Sequence, residues 1–210
     1  MWPDSEKTQE LLAGARQGDA VAVNQLLDRH RESLRRMIDL RMDRAVSQRV
    51  DASDIVQDVL VEANRRLQDY LANPQFPFHL WLRQMAKDRL IDAHRRHRGA
   101  ARRSVDREQK QASVPLDQST LDLVAGICDP ELTPAAAATW HELQRRFQDA
   151  IEQLDEQDRE VVLMRHFEQL SNSEVAQSLH LSEPAAGMRY LRAMRRLREK
   201  LGPADSAAAE

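Results

Sequence analysis

The chain has 210 residues, enough for one domain or two small ones, and its 31% charged and 4% aromatic content suits helices better than a sheet. A single cysteine, Cys128, excludes a disulfide framework and a cysteine-built zinc site. Met1-Trp-Pro-Asp-Ser-Glu-Lys7 lacks the pattern of a signal peptide and no apolar run is long enough to span a bilayer, so the expectation is a reducing, cytoplasmic protein without membrane insertion.

The first third reads as helices. Leu11, Leu12 and Ala15 sit at helical spacing before Gly18-Asp19, where Gly suits a left-handed C-terminal cap and Asp the next N-cap. A second helix follows through Val23, Leu26, Leu27, His30, Leu34, Met37 and Ile38. Arg41 to Val50 lacks clean periodicity and reads as a turn with weak helix. Asp51-Ala-Ser-Asp54 then opens a helix whose residues Ile55, Val56, Val59, Leu60, Ala63 and Leu67 trace one apolar stripe. Asn73-Pro-Gln-Phe-Pro77 is a loop, because two prolines so close cannot continue a helix. The fourth helix, from about Phe78 to Arg98, places Trp81, Leu82, Met85, Ala86 and Leu90 on its apolar face.

From Gly99 to Thr133 the periodicity stops, and Pro115 and Pro130 with Ser, Gln and Asp mark an interdomain linker. Leu121, Val124 and Ile127 leave open a short docking turn there. Thr133-Pro134 restarts helix, with Trp140, Leu143, Phe147, Ala150, Ile151 and Leu154 on its apolar face. Asp155 caps a helix running to Phe167, and Ser171-Asn-Ser-Glu174 is a capping box ahead of Val175, Ala176 and Leu179. Ser182-Glu-Pro184 opens the last helix, ending near Leu201-Gly-Pro203. The architecture expected is all-α: a helical domain over 5–98, a flexible linker over 99–133, a second helical domain over 134–202 and a disordered tail over 203–210.

The net charge of −3 is unevenly distributed. Arg83, Lys87, Arg89, Arg95, Arg96, Arg98, Arg102 and Arg103 face only Asp88 and Asp92 in one stretch. Arg189, Arg192, Arg195, Arg196, Arg198 and Lys200 face only Glu199 in another. Two basic stretches in an acidic chain suggest two contacts with a polyanion. In the second stretch, Ser171 to Leu179, the turn His180-Leu181 and the helix Ser182 to Lys200 have the form of a helix-turn-helix. An amphipathic surface helix with solvated arginines fits the same charges. The capping box and the small Ala185-Ala-Gly187 run favour DNA. Asp51, Asp54, Asp58 and Glu62 form an acidic stripe beside the apolar one, a pattern that also suits a solvated face.

Leu154-Asp-Glu-Gln-Asp-Arg-Glu-Val-Val-Leu-Met-Arg165, followed by Ser173-Glu-Val-Ala176 and Arg189-Tyr-Leu-Arg-Ala193, resembles the C-terminal domain of extracytoplasmic-function sigma factors of the sigma-70 family. Asp51-Ala-Ser-Asp-Ile-Val-Gln-Asp58 resembles that family's polymerase-binding helix. Phe78-His-Leu-Trp-Leu-Arg-Gln-Met-Ala86 and Ile91-Asp-Ala-His-Arg-Arg96 resemble its promoter-melting and −10-reading segment. The resemblance implies a sigma factor that binds core RNA polymerase, recognises −10 and −35 promoter elements and promotes DNA melting.

The partners so implied are the β′ clamp helices and β flap of the polymerase, promoter DNA and an anti-sigma factor or other regulator. The implied polymerase-binding residues are Asp51, Asp54, Gln57, Asp58 and Glu62. Those implied for the −10 element are Phe76, Phe78, Arg83, Lys87, Asp92, Arg95 and Arg96, with the two phenylalanines suited to stacking on unpaired bases and Trp81 assigned to the core. Those implied for the −35 element are Ser182, Glu183, Ala185, Ala186, Arg189, Arg192 and Arg196. Two departures stand out. Asp88 replaces the family's usual Asn, and Gly187-Met188 replaces the commoner Lys-Ser, removing one cation from the recognition helix.

No nucleophile elbow, P-loop or glycine-rich nucleotide motif is present, so no catalytic residue and no cofactor is expected. His94 and His97 share a helical face, but without nearby Cys or a placed carboxylate they read as polar surface rather than metal ligands. Two other readings remain open: a free-standing helix-turn-helix regulator, and a scaffold that binds only proteins. The scaffold leaves both basic stretches unexplained.

Overall fold

The computed structural model describes residues 2–3, 5–42, 46, 49–101, 147 and 149–201, with the side chains of the fourth helix described through residue 96. The linker beyond Ala101, its apolar patch, Cys128, the Thr133-Pro134 helix start, Trp140, Leu143 and the C-terminal tail lie outside the described residues. So do Arg102, Arg103 and the side chains of His97 and Arg98. The described residues are helical, without strands, and the chain divides into two units at Ala112/Ser113.

The N-terminal unit contains α1 (Ser5–Arg16), α2 (Ala20–Asp39), α3 (Ala52–Ala72) and α4 (Phe78–Ala101). Gly18 ends α1 in the left-handed region at φ 81°, and the Asp19 amide reaches back to the Gly14 carbonyl at 3.1 Å. Asp19 then caps α2, its carboxylate accepting from Val21 N at 2.8 Å and Ala22 N at 3.3 Å. The two helices approach closely at Gly14, where a Cβ would fall 2.8 Å from that of Ala22. Asp51 caps α3 through Ser53 N at 2.8 Å, and the expected stripe from Ile55 to Leu67 is buried throughout. α4 packs on both α2 and α3 and continues to Ala101, three residues past the expected end. Gly99 is the only helix-weakening residue there, at about 1 kcal/mol.

In the C-terminal unit, Phe147, Ala150, Ile151 and Leu154 are buried. Asp155 caps α5 (Glu156–Val162), accepting from Asp158 N at 2.8 Å. The expected helix to Phe167 changes type at Leu163: residues Leu163–Phe167 form a π turn that buries Leu163, Met164 and Phe167. α6 (Asn172–Leu179) and α7 (Glu183–Leu201) follow, and α7 packs on α5 and α6.

A titratable side chain lies inside the N-terminal core. His30 is fully buried, and its Nδ1 bonds the Leu26 carbonyl at 2.8 Å. The ring packs edge-on to Phe78 at 5.1 Å, with Trp2 at 6.3 Å. Nε2 has no hydrogen-bond partner among the described residues. Burial drives the pKa from 6.5 down to about 4, outweighing the opposing pull of the Leu26 carbonyl. The folded unit therefore holds His30 neutral, while the unfolded chain takes up a proton below about pH 6.5. The stability associated with the neutral ring is present above that pH and is lost as the pH falls towards 4, a loss of about 3 kcal/mol. Hydrogen exchange of α2 amides in the full chain should show this loss between pH 7 and 4, and His30→Phe should flatten it.

Candidate functional site

On α3, Asp54, Gln57 and Asp58 are exposed, with Asp51 at the helix start. The amide of Ser53 holds the Asp51 carboxyl below its ordinary range. Glu62 is different: it is half-buried and paired with Arg89 at 3.6 Å and Arg66 at 3.9 Å. Its charge is partly committed within the unit. Beside the stripe, an open groove of about 610 Å³ runs between α2 and α3, lined by Asn24, Asp28, Arg31, Gln57, Val61 and Asn64 among others. Gln57 Oε1 accepts from Arg31 Nη1 across it at 3.4 Å, and Val61 is 41% exposed. The sequence reading missed this groove. The available signal was Val61, an apolar residue off the buried stripe of its own helix.

The loop after α3 separates its two phenylalanines. Phe76 is 40% exposed, and its carbonyl accepts from Tyr70 Oη at 3.0 Å. Phe78 is 2% exposed, against the expectation that it stacks on DNA. It opens α4 and faces inward one turn before Leu82. There it meets Tyr70 edge-on at 5.4 Å, while Trp81 stacks on Tyr70 at 4.7 Å. Trp81 packs against the core as the sequence suggests.

Arg83 corrects a second expectation. At 1% exposure it is a buried cation rather than a phosphate contact, because α4 is covered by both α2 and α3 and buries a wider arc than one stripe. Asp92, Arg95 and Arg96 are exposed, and Lys87 is half-exposed. Asp88 Oδ1 accepts from Gln84 Nε2 at 3.3 Å on the surface of α4.

In the C-terminal unit the helix-turn-helix is assembled by side-chain caps. Ser171 Oγ accepts from Glu174 N at 3.2 Å while Glu174 Oε2 accepts from Ser171 N at 2.7 Å, completing the capping box. His180 ends α6 in the left-handed conformation at φ 54°, and Ser182 Oγ accepts from Ala185 N at 3.3 Å to start α7. Asn172 Nδ2 donates to the Glu183 carbonyl at 2.9 Å, joining the two helix starts. Its contribution was not legible, because the bond spans eleven residues. Behind the turn, His166 Nε2 lies 2.7 Å from Tyr190 Oη, and the Arg165 guanidinium sits 5.7 Å from the Tyr190 ring. Burial lowers the His166 pKa and raises that of Tyr190, so both are neutral near pH 7.

Of the expected −35 residues, Ser182, Glu183, Ala185 and Arg192 are exposed and Arg189 is half-buried. Ala186 is fully buried and serves the close packing of α7 rather than base contact. Arg196 is redirected: its Nη1 bonds Asp155 Oδ2 at 2.6 Å and Asp158 Oδ2 at 2.5 Å. Both carboxylates belong to the start of α5, so the arginine ties α7 to that helix instead of reaching for phosphate.

Both units match known family models. Residues 144–197 match Sigma-70, region 4, and residues 23–100 match Sigma-70 region 2, together more than half of the chain. The chain belongs to the sigma-70 family. It is a promoter-directing sigma factor with a region 2 unit and a region 4 unit. Similar solved structures include CnrH in complex with the cytosolic domain of CnrY. The identity is 25% and the TM-score 0.60, over 96% of this chain and 100% of that one. The sigma factor RpoE in complex with the anti-sigma factor NepR, from Bartonella quintana, shares the fold at 18% identity and TM-score 0.52, over 90% and 97%. No curated protein sequence matches the chain. Among the described residues, no helix is long and apolar enough to cross a membrane and no cluster suits a metal ion.

The arginine assignment is testable in this sigma factor. Arg196→Ala should lower the melting temperature of the C-terminal unit while leaving the salt dependence of promoter binding unchanged. Arg192→Ala should do the reverse, reducing the salt slope by about one unit for a lost phosphate contact.

Proposed function

We propose that this sigma factor divides promoter recognition between its units, with the N-terminal unit also docking on polymerase. The observation that carries the reading is the contrast between the two candidate DNA surfaces. One offers an exposed aromatic ring on a hydrogen-bonded loop ahead of a helix that carries Lys87, Arg95 and Arg96; the other offers a capped helix-turn-helix that starts on exposed Ser182, Glu183 and Ala185.

Asp51, Asp54, Gln57 and Asp58, with Glu62 at the margin, form the surface for the β′ clamp helices, where basic partner residues complement the carboxylates. Phe76 stacks on an unpaired base of the melted −10 element, since every base offers a π-face to a flat ring. Arg95 and Arg96, with Lys87 nearby, hold the phosphates of that strand, and Asp92 borders them. Such contacts position DNA without reading it. In the C-terminal unit, Ser182, Glu183 and Ala185 approach base edges of the −35 duplex from the start of α7, while Arg189 and Arg192 contact its backbone. The β flap is the polymerase element for this unit. An anti-sigma factor is the further partner, supported by the NepR complex of the similar RpoE.

A charge reversal tests the polymerase surface without disturbing the core. Asp54→Arg with Asp58→Arg changes two exposed positions and leaves the Glu62 pairs intact. Core-polymerase affinity should fall at least tenfold with an unchanged melting temperature. Wild-type affinity in this variant would place the polymerase surface elsewhere. On promoters, Glu183→Ala should cost about 1–3 kcal/mol at particular −35 sequences and nothing at −10 variants.

A further inference from the structure

α7 has two faces of opposite character. Ala186, Ala193, Leu197 and Leu201 recur every seven, four and four residues and are at most 5% exposed. On the opposite side, Pro184, Met188, Leu191 and Arg195 follow one another at spacings of four, three and four. All four are exposed, Met188 at 57% and Leu191 at 59%. A surface helix ordinarily puts polar groups there. Single exposed apolar residues are common, but here two large ones adjoin at an i, i+3 spacing in the middle of a cationic face. The fold makes no use of them.

The surroundings identify the occupant. Arg192 and Arg195 are exposed on the same side, one turn or less from the pair. An apolar protein groove would have to bury those cations, whereas a duplex major groove meets both demands. Its rims are phosphate, and its floor carries the 5-methyl groups of thymine, the apolar feature by which an A·T pair is read. Ala185 and Gly187 flank Met188 with minimal bulk, so α7 can approach the base edges closely enough for contact. A Cβ at Gly187 would fall 3.7 Å from the Asn172 side-chain oxygen, ordinary contact distance, so the side of α7 next to Gly187 faces α6.

We propose that Met188 and Leu191 are specificity-determining residues that read thymine 5-methyl groups in the −35 element. The inference rests on the reading that α7 enters that duplex. It makes thymine positions, rather than guanine contacts by arginine, the discriminating part of this chain's −35 preference.

The test uses holoenzyme reconstituted from core polymerase and the full chain. A −35 sequence is first selected from a promoter library randomised at that element, and each of its thymines is then replaced singly by deoxyuridine, which removes only the methyl group. Wild-type holoenzyme should bind about fourfold more weakly at one or two positions, the worth of a buried methyl group. Met188→Ala or Leu191→Ala should be weakened on the thymine promoter and indifferent to deoxyuridine at its own position, whereas Met188→Leu should retain the response.

The proposal is overturned if the selected element holds no thymine, or if wild type is indifferent to every deoxyuridine. It is also overturned if the alanine variants bind like wild type or lose only affinity for core polymerase, which would make the patch a protein surface. Arg192→Ala with Arg195→Ala separates the two levels of the argument. If that variant binds every promoter as tightly as wild type, with an unchanged salt slope, the placement of α7 has failed. If its binding falls while deoxyuridine has no effect, only the methyl reading has failed.

Discussion

The packing of Phe78 against Tyr70, Trp81 and His30 is the constraint on which the N-terminal unit depends. It joins α2, α3 and α4 through aromatic faces and edges at 4.7–5.5 Å. Phe78 is inside, while Phe76, two residues earlier in the loop, is exposed. Tyr70 then serves twice, stacking in the core through its ring and fixing the loop through its hydroxyl on the Phe76 carbonyl. One cluster therefore joins three helices and anchors the loop that carries the exposed Phe76 ring. Burying neutral His30 in the same cluster links it to acid lability, since among the described residues no partner is in place to receive a second ring proton.

The C-terminal unit meets an equivalent constraint with different chemistry. Its helices are short and its turn tight, so the geometry rests on caps and on small residues. The Ser171–Glu174 box, the Ser182 cap and the Asn172 bond to Glu183 fix where α6 and α7 begin. Fully buried Ala186 allows the close approach, and Arg196 secures the far side of α7 to Asp155 and Asp158. The cost is one cation fewer for DNA. The outward face that remains combines Met188 and Leu191 with arginines, a composition better matched to a groove floor between phosphate rims than to either water or an apolar partner.

Local signals were legible in the sequence. Gly18 ends a helix through its left-handed backbone, and Asp19, Asp51, Asp155, Ser171 and Ser182 open helices through side chains that accept within three residues. The sigma-70 assignment followed from motifs that are likewise contiguous. The site residues were less legible, for reasons particular to each. A single apolar stripe puts Arg83 on the surface of α4, but a helix covered by two neighbours buries a broader arc. Phe78 pairs with Phe76 as a stacking candidate by residue type alone, yet it stands in register with Leu82 and is buried. Ala186 belongs to the small-residue run at the start of α7, but its small size serves packing. The partners of Arg196 lie 38 and 41 residues away, a distance over which charge pattern carries no information.

The central claim is that this chain opens promoters only with polymerase, and that Phe76 takes up an unpaired base as it does so. Placing 2-aminopurine at successive positions of the −10 element, on a promoter the holoenzyme uses, reports unstacking directly. The account predicts a fluorescence rise that requires both core polymerase and the sigma factor, and quenching at one position that is relieved in Phe76→Ala. A rise produced by the sigma factor alone, or a pattern identical in Phe76→Ala, would contradict it.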